Sequence, residues 1–416
     1  MACADVGDER AMVSALLDGI NVCNINAAER VEGQHGVDHV QRRARGAKRG
    51  LYRRVVMAFA AARVYDLALH QIYDGYDVHG FPIADQRAVK LFVCEFVTGG
   101  GLYREPLSPS LAREGLLMRD ALLRDLAELP GIELSLTCDP RVPLPLTGTI
   151  LVMQDTDDVW QLWEAGMRQA DAVWFIAPES GGQLLRLTML AERLGKIVIG
   201  SSAAAVAWTS SKYLTCRHLL AAEIPAVPTY KLDEWPQVAG RWVIKPDDGA
   251  GCEDTVLFDD VQAAQEWLRG RAATHVIQPL LQGRAASLCV LCKQGSAWLL
   301  SCNLQKVMIE NGRFIYGGSS LNGAAGRWMQ CATLAARIAQ AVPGLTGYVG
   351  IDVLIDAEDI IVLEINPRLT TSYVGLHAAL DCNPARLVLD LIYNEHFQLP
   401  REIRRHIVDV TLEDAA

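Results

Sequence analysis

From residue 90 onward the chain alternates between two hydrophobic rhythms. Short apolar runs, "KLFVCEF" (90–96), "IELSLTC" (132–138), "DAVWFIAP" (171–178) and "KIVIGSS" (196–202), predict strands. Between them "LAREGLLMRDALLRDLAEL" (111–129), "VWQLWEAGMRQA" (159–170) and "QLLRLTMLAERLG" (183–195) repeat apolar residues at helical spacing. Strands separated by helices predict a parallel sheet covered on both faces. Ligands of such sheets sit beyond the carboxyl ends of the strands, which makes the loops 95–110 and 179–183 candidate substrate loops.

Past residue 206 the pattern changes. "AWTSSKYLTCRHLLAA" (207–222) predicts a serine-capped helix with Lys212 in its first turn. A lysine there opposes the helix dipole and is better explained if an anion sits beside it, a plain exposed lysine being the alternative. "RWVIKPDDGAGCEDTVLF" (241–258) predicts a strand ending at Lys245 and then a turn holding Gly249 and Gly251. Glycines let a turn expose its backbone N–H groups, and a lysine beside such a turn holds phosphates; a plain hairpin turn is the alternative. "THVIQPLLQGRAASLCVLC" (274–292) reads as strand, connector and strand, and "AGRWMQCATLAARIAQAV" (325–342) as a long helix.

The last two strands, "YVGIDVLI" (348–355) and "IIVLEINP" (360–367), carry the most informative polar residues. A three-residue loop at 357–359 would set Ile355 against Ile361, Val353 against Leu363 and Ile351 against Ile365, all apolar. On the other face Leu354 meets Val362, Asp352 meets Glu364 and Gly350 meets Asn366. A slip of one residue would carry Asp352 onto the apolar face, so the register is well specified. Facing carboxylates with Cβ atoms about 5 Å apart repel each other. A hard dication bound by carboxylate and amide oxygens resolves the conflict, and Mg²⁺ commonly binds through one or two carboxylates plus substrate phosphates. Asp352, Glu364 and Asn366 are therefore the candidate metal ligands, for Mg²⁺ or alternatively Mn²⁺. Arg368, just beyond the strand, can fork onto a phosphate or carboxylate.

Composition narrows the class. The 416 residues are 50% apolar and 21% charged, enough for two or three domains with a core. A net charge of −10 disfavours nucleic acid or an anionic membrane as partner, and no apolar run reaches the length of a membrane span. Residues 1–88 hold eleven acids and eleven bases, so the whole imbalance lies in 89–416. The cluster "RRARGAKRGLYRR" (42–54) reads as a solvated stretch more readily than as an RNA or targeting signal, and Asp5, Asp8 and Glu9 disfavour a transit peptide. The segment 1–88 is expected to be an accessory or poorly ordered extension, and Val89 could mark an internal start. Eleven scattered cysteines, an odd count, point to reduced thiols in the cytoplasm. Cys289 and Cys292 would face opposite sides of a strand, which argues against a metal or redox pair.

The order of Lys212, Lys245–Pro246 with its glycine turn, a connector strand and "GIDVLI…VLEINPR" resembles the ATP-grasp superfamily over about 90–395. The resemblance implies an α/β plus α+β fold: a Rossmann-like pre-ATP-grasp domain (89–205), a small lobe (206–280), a large lobe with the metal site (281–400) and a tail (401–416). It implies ATP and Mg²⁺ as cofactors, with Lys212 and Lys245 on the phosphates and Gly249 and Gly251 covering them. Gln278, Leu280 and Leu281 of the connector would hold the adenine, and Asp352, Glu364 and Asn366 the metal. Arg368 and Lys245 would act on the transferred phosphoryl group. Relatives often carry glutamates where this chain has Gln278 and Ala285, which leaves the ribose contact open. "FVCEFVTGGGL" and "LEINPRLTTSYVGL" further resemble ligases of methanofuran-type cofactor synthesis that join glutamate to an aromatic amine. The implied activity is a carboxylate–amine ligase acting on small molecules; a small-molecule kinase and a non-catalytic ATP-binding regulator are the alternatives. Dimers are common in that family, which leaves a homodimer open.

Overall fold

The computed structural model describes residues 88–412 except Gln237, Ala250 and Glu253. The segment before Ala88, and with it the expected accessory extension and basic cluster, lies outside the described residues. Five parallel strands form one sheet: β1 (Val89–Glu95), β2 (Ile132–Cys138), β3 (Thr149–Val152), β4 (Ala172–Ile176) and β5 (Ile197–Val198), in the order β3-β2-β1-β4-β5. Helices α1 (Pro109–Ala127), α2 (Val159–Gln169) and α3 (Gln183–Arg193) connect them, as the alternating pattern predicts. Strand order reverses at β1, so the loops after β1 and β4 flank the crevice where such sheets bind ligands.

Two strands depart from expectation. The four residues of β3 are half exposed at a sheet edge, too short and too mixed to show a rhythm. The predicted strand 196–202 pairs over two residues only, because Ser202 already caps the next helix, accepting from the Ala205 N–H at 3.3 Å. That helix, α4 (Ala203–Thr209), is followed by α5 (Lys212–Ala221); the single helix expected over 207–222 is therefore two. The break falls at Ser210 and Ser211, where the Ser211 hydroxyl accepts from the Leu214 N–H and starts the second helix.

A second sheet has nine strands: β6 (Trp242–Pro246), β7 (Val256–Phe258), β8 (His275–Pro279), β9 (Arg284–Lys293), β10 (Ser296–Glu310), β11 (Arg313–Leu321), β12 (Gly347–Ile355), β13 (Ile360–Asn366) and β14 (Val408–Thr411). They run in the order β13-β12-β9-β10-β11-β7-β6-β8, with β14 against β11. One residue pair, Arg313 with Val256, joins β11 to β7 and forms the seam between a small and a large lobe. Residues 408–411, expected in a tail, instead cover β11 at Gly318–Leu321. Helix α6 (Val261–Leu268) links β7 to β8, and α7 (Trp328–Ala341) covers one face of the large lobe. Helices α8 (Leu376–Leu380) and α9 (Pro384–Tyr393) follow β13.

Alternation in the central strands separates core from site. Val349, Ile351, Val353 and Ile355 of β12, and Ala286, Leu288, Val290 and Cys292 of β9, join the core under α7. Asp352, Ser287 and Cys289 turn to the other face. Cys289 accepts there from the Tyr348 hydroxyl at 3.0 Å, while Cys292 stays in the core, so the two thiols face apart as predicted.

Candidate active site

The hairpin of β12 and β13 has the expected register where the polar residues lie: Gly350 opposes Asn366, Ile351 opposes Ile365 and Asp352 opposes Glu364. Closer to the turn the register shifts by one, so that Val353 faces Val362, Leu354 faces Ile361 and Ile355 faces Ile360. The extra residue is Leu363, a β-bulge, and the connection is four residues rather than three. The Asp356 carboxylate closes it by accepting from the N–H groups of Glu358 and Asp359 at 2.8 and 2.7 Å. The bulge has a clear consequence. Val362 and Ile360 stay in the core, while Glu364 and Asn366 turn to the site. The outer edge of β13 is held at the same place, where Val362 exchanges backbone hydrogen bonds with Pro225 and Val227.

Two cations meet this acidic pair. The Lys212 ammonium lies 3.3 Å from Glu364 Oε2, and that of Lys245 lies 3.9 Å from the same oxygen. Burial pushes Glu364 up, but Lys212 and Lys245 outweigh it and hold the carboxyl down at about 2. Burial and the facing Glu364 push Asp352 up to about 8. Two carboxylates thus compete for one charge in a crowded site. Gln305 on β10 donates to Asp352 Oδ1 at 2.9 Å, and the Asn366 amide donates to Asp352 Oδ2 at 3.2 Å. Gln305 was not singled out in the sequence, although strand alternation from Asn303 places it on this face.

Lys212 stands in the first turn of α5, as expected. The anion at that helix start is Asp247: its Oδ1 accepts from the Tyr213 N–H at 2.9 Å, and its Oδ2 from the Ser211 hydroxyl and Lys231. Lys212 therefore reaches past the helix end, donating to the carbonyls of Gly249 and Asp247. Gly251 adopts φ +66°, a left-handed conformation that favours glycine. The glycine turn docks on the first sheet's loop, where Gly181 N–H donates to Asp248 Oδ2 at 2.9 Å and the Ser180 hydroxyl donates to Asp248 O.

Arg368 spans the same gap. Its Nη2 and Nε donate to Glu179 Oε2 at 2.7 and 3.1 Å, linking the end of β13 to the loop after β4. Glu114 on α1 also borders the glycine turn: a Cβ built on Gly251 would lie 4.0 Å from its Oε2. Burial raises the Glu114 carboxyl, opposed by Arg368. Neither glutamate stood out in the sequence, since their roles depend on packing between elements far apart in the chain.

In the connector, the Gln278 side chain donates to Thr229 Oγ1 at 2.9 Å, and the Leu280 N–H donates to Arg241 O at 2.8 Å. Leu280 thus extends the β6–β8 ladder, and its N–H is not free for a ligand. Residues in a strand alternate their hydrogen-bonding edges, and Ile277 turns its N–H and C=O outward to Tyr230. The carbonyl of Pro279, the last residue of β8, therefore faces that outer edge, and Leu281 follows just beyond the strand.

The donor set fits a hard dication. Two facing carboxylates and an amide offer oxygens, and the raised Asp352 marks a charge conflict that a dication would remove. Among the described residues no group of three or more His, Cys, Asp or Glu side chains could hold a metal, so phosphate oxygens would have to complete the shell.

Comparison with known proteins agrees with this arrangement. Residues 209–372 match the ATP-grasp domain family and residues 132–206 the pre-ATP-grasp 3 domain. A tyramine–L-glutamate ligase of Methanocaldococcus fervens is 30% identical over 202 residues, covering 48% of this chain and 60% of the relative. Its counterpart in Methanocaldococcus jannaschii is 28% identical over 241 residues, covering 58% and 68%. The chain thus spans three fifths to two thirds of these relatives. A solved ATP-grasp superfamily protein of Archaeoglobus fulgidus superposes with a TM-score of 0.59 at 27% identity, over 72% of this chain and 88% of that one. The parallel first sheet, the two-lobed second sheet and these matches together show the ATP-grasp fold, with an ATP-grasp domain at residues 209–372 and a pre-ATP-grasp domain at residues 132–206.

Proposed function

We propose that the site joins a small-molecule carboxylate to a primary amine with ATP, through an acyl phosphate. The observation that carries this reading is the facing Asp352–Glu364 pair beneath Lys212 and Lys245, with Arg368 just past it. The adenine would lie against the β8 edge, its amino group donating to Pro279 O and a ring nitrogen accepting from Leu281 N–H. Lys212 and Lys245 would neutralise the phosphates, while the turn around Gly249 and Gly251 covers them and excludes water. Asp352, Glu364 and Asn366 would hold Mg²⁺, which supplies charge neutralisation on the phosphates when bound. The substrate carboxylate attacks the γ-phosphorus and ADP leaves. The amine, having given up its ammonium proton, then attacks the acyl carbon with its nitrogen lone pair; inorganic phosphate leaves with the bonding electron pair and takes up the proton the nitrogen loses. Arg368 is placed to balance charge on the phosphoryl group in both steps.

The names of the relatives make L-glutamate and tyramine the first substrates to try; a pathway of methanofuran type is what the sequence resemblance implies. The test is an ADP-release screen over amino acids with and without amines, with product mass measured for each hit. An amide product with ADP supports the reading. ADP release that needs no amine and yields a stable phosphate ester would make the protein a kinase, and tight ATP binding without turnover would make it a regulator.

A further inference from the structure

The crevice holds more carboxylate than the metal and phosphates account for. Glu179 is 5% exposed, and its Oε2 takes both hydrogen bonds from Arg368. Among the described residues its buried Oε1 has no hydrogen-bond partner. A buried carboxylate oxygen without a donor is costly, and native sites rarely leave one unless something else supplies it. Glu114 approaches from α1, where its Oε2 would lie 4.0 Å from a Cβ built on Gly251 of the glycine turn. Among the described residues no hydrogen bond or ion pair reaches it. Glu114 and Glu179 thus both stand on the first sheet's side of the glycine turn, and Arg368 donates to the second of them.

We propose that Glu114 and Glu179 form a subsite for the ammonium group of the amine substrate, beside Arg368 and the glycine turn. The inference rests on the ligase reading and names where its second substrate binds. An anionic substrate is repelled here and belongs with Lys212, Lys245 and Arg368. An alkylammonium brings three N–H donors and one positive charge, which answers the orphaned Oε1 of Glu179 and the Glu114 carboxylate together. A neutral alcohol of the same shape offers one donor and no charge. The two carboxylates come from α1 and the loop after β4, both on the first sheet's side, whereas the metal ligands come from the second sheet. The amine would thus enter from the side opposite the metal ligands.

The test compares the full-length protein with Glu114→Gln and Glu114→Asp, using ATP, Mg²⁺, L-glutamate and tyramine. Loss of a charged hydrogen bond should raise KM for tyramine about tenfold or more in Glu114→Gln, with a smaller rise in Glu114→Asp. KM for ATP should change less than about twofold. An unchanged KM for tyramine, or a rise in KM for glutamate instead, overturns the subsite. Direct titration of the wild type with tyramine and with 4-ethylphenol, its uncharged analogue, gives an independent readout. Tighter binding of tyramine supports the subsite and equal affinity refutes it, whether or not a variant folds. If the wild type releases no ADP with any acid and amine, the ligase reading fails, and this titration still decides the cation subsite.

Discussion

The ammonium of Lys212 lies 3.3 Å from Glu364 Oε2, with side chains 7% and 18% exposed. Lys212 sits in the first turn of α5 and Glu364 near the end of β13, so this contact ties that helix to the β12–β13 hairpin. It also counters the repulsion that Glu364 meets from Asp352. Replacing Lys212 with alanine leaves Glu364 half-buried with only Lys245 nearby, and removes the donor to Gly249 O. The expected cost is about 1–3 kcal/mol, read as a lowered midpoint in denaturant at unchanged slope. An unchanged midpoint would mean that the pair contributes nothing to stability.

Glu364→Gln keeps the side-chain shape and one carbonyl oxygen but removes the charge that faces Asp352. Turnover of Mg-ATP in the ADP-release assay should fall by about 10² or more, with the far-ultraviolet spectrum unchanged. A variant with near-normal turnover would exclude the hairpin as the metal site.

Leu363 is the extra residue of the bulge, with Asp352 opposing Glu364 on one side of it and Val353 opposing Val362 on the other. Deleting it makes the pairing regular without moving either set. The deletion variant is expected to fold and keep metal-dependent turnover. Deletion of Glu364 itself, a residue away, should abolish turnover. Loss of folding in the Leu363 deletion would show that the bulge is needed for more than aiming the acids.

Glu95, at the end of β1, is buried and accepts from the N–H groups of Val97 and Thr98 at 3.3 and 2.6 Å. Burial raises its carboxyl above the ordinary value of 4.5, against the lowering effect of those hydrogen bonds. The native state then holds a proton that the unfolded chain releases near pH 4.5. Stability should therefore fall as pH rises from that value through the raised one, and level off above it. Comparing urea midpoints across this range in wild type and Glu95→Gln checks the sign: the variant should lose that part of the slope.

Much of the fold was legible because its strands and helices follow a strong rhythm. Strand β2 begins and ends where the apolar run does, and α2 and α3 agree within two residues. The break between α4 and α5 was not legible, since Ser210 and Ser211 suit a helix interior poorly but do not forbid it. In the hairpin, the polar pattern alone specified Asp352 against Glu364, yet it could not reveal the bulge at Leu363. Leucine, isoleucine and valine are interchangeable in such a pattern, and the choice between them depended on the core under α7 and on the segment at Pro225–Val227 that grips the outer edge of β13.

What the sequence by itself determined was local: which residues are apolar at which spacing, where lysines and glycines end strands, and which two acids share a face. Those follow from periods of 2.0 and 3.6 residues and need no knowledge of distant neighbours. Tertiary structure alone decided that Asp247 joins Ser211 at the start of α5, that Arg368 binds Glu179, and that Glu114 borders the glycine turn. Each of these joins side chains 34 to 189 residues apart in the chain, or a helix of the first sheet to a turn of the second. A charge's partner is set by the folding of two separate elements against each other, and no local rhythm encodes that distance.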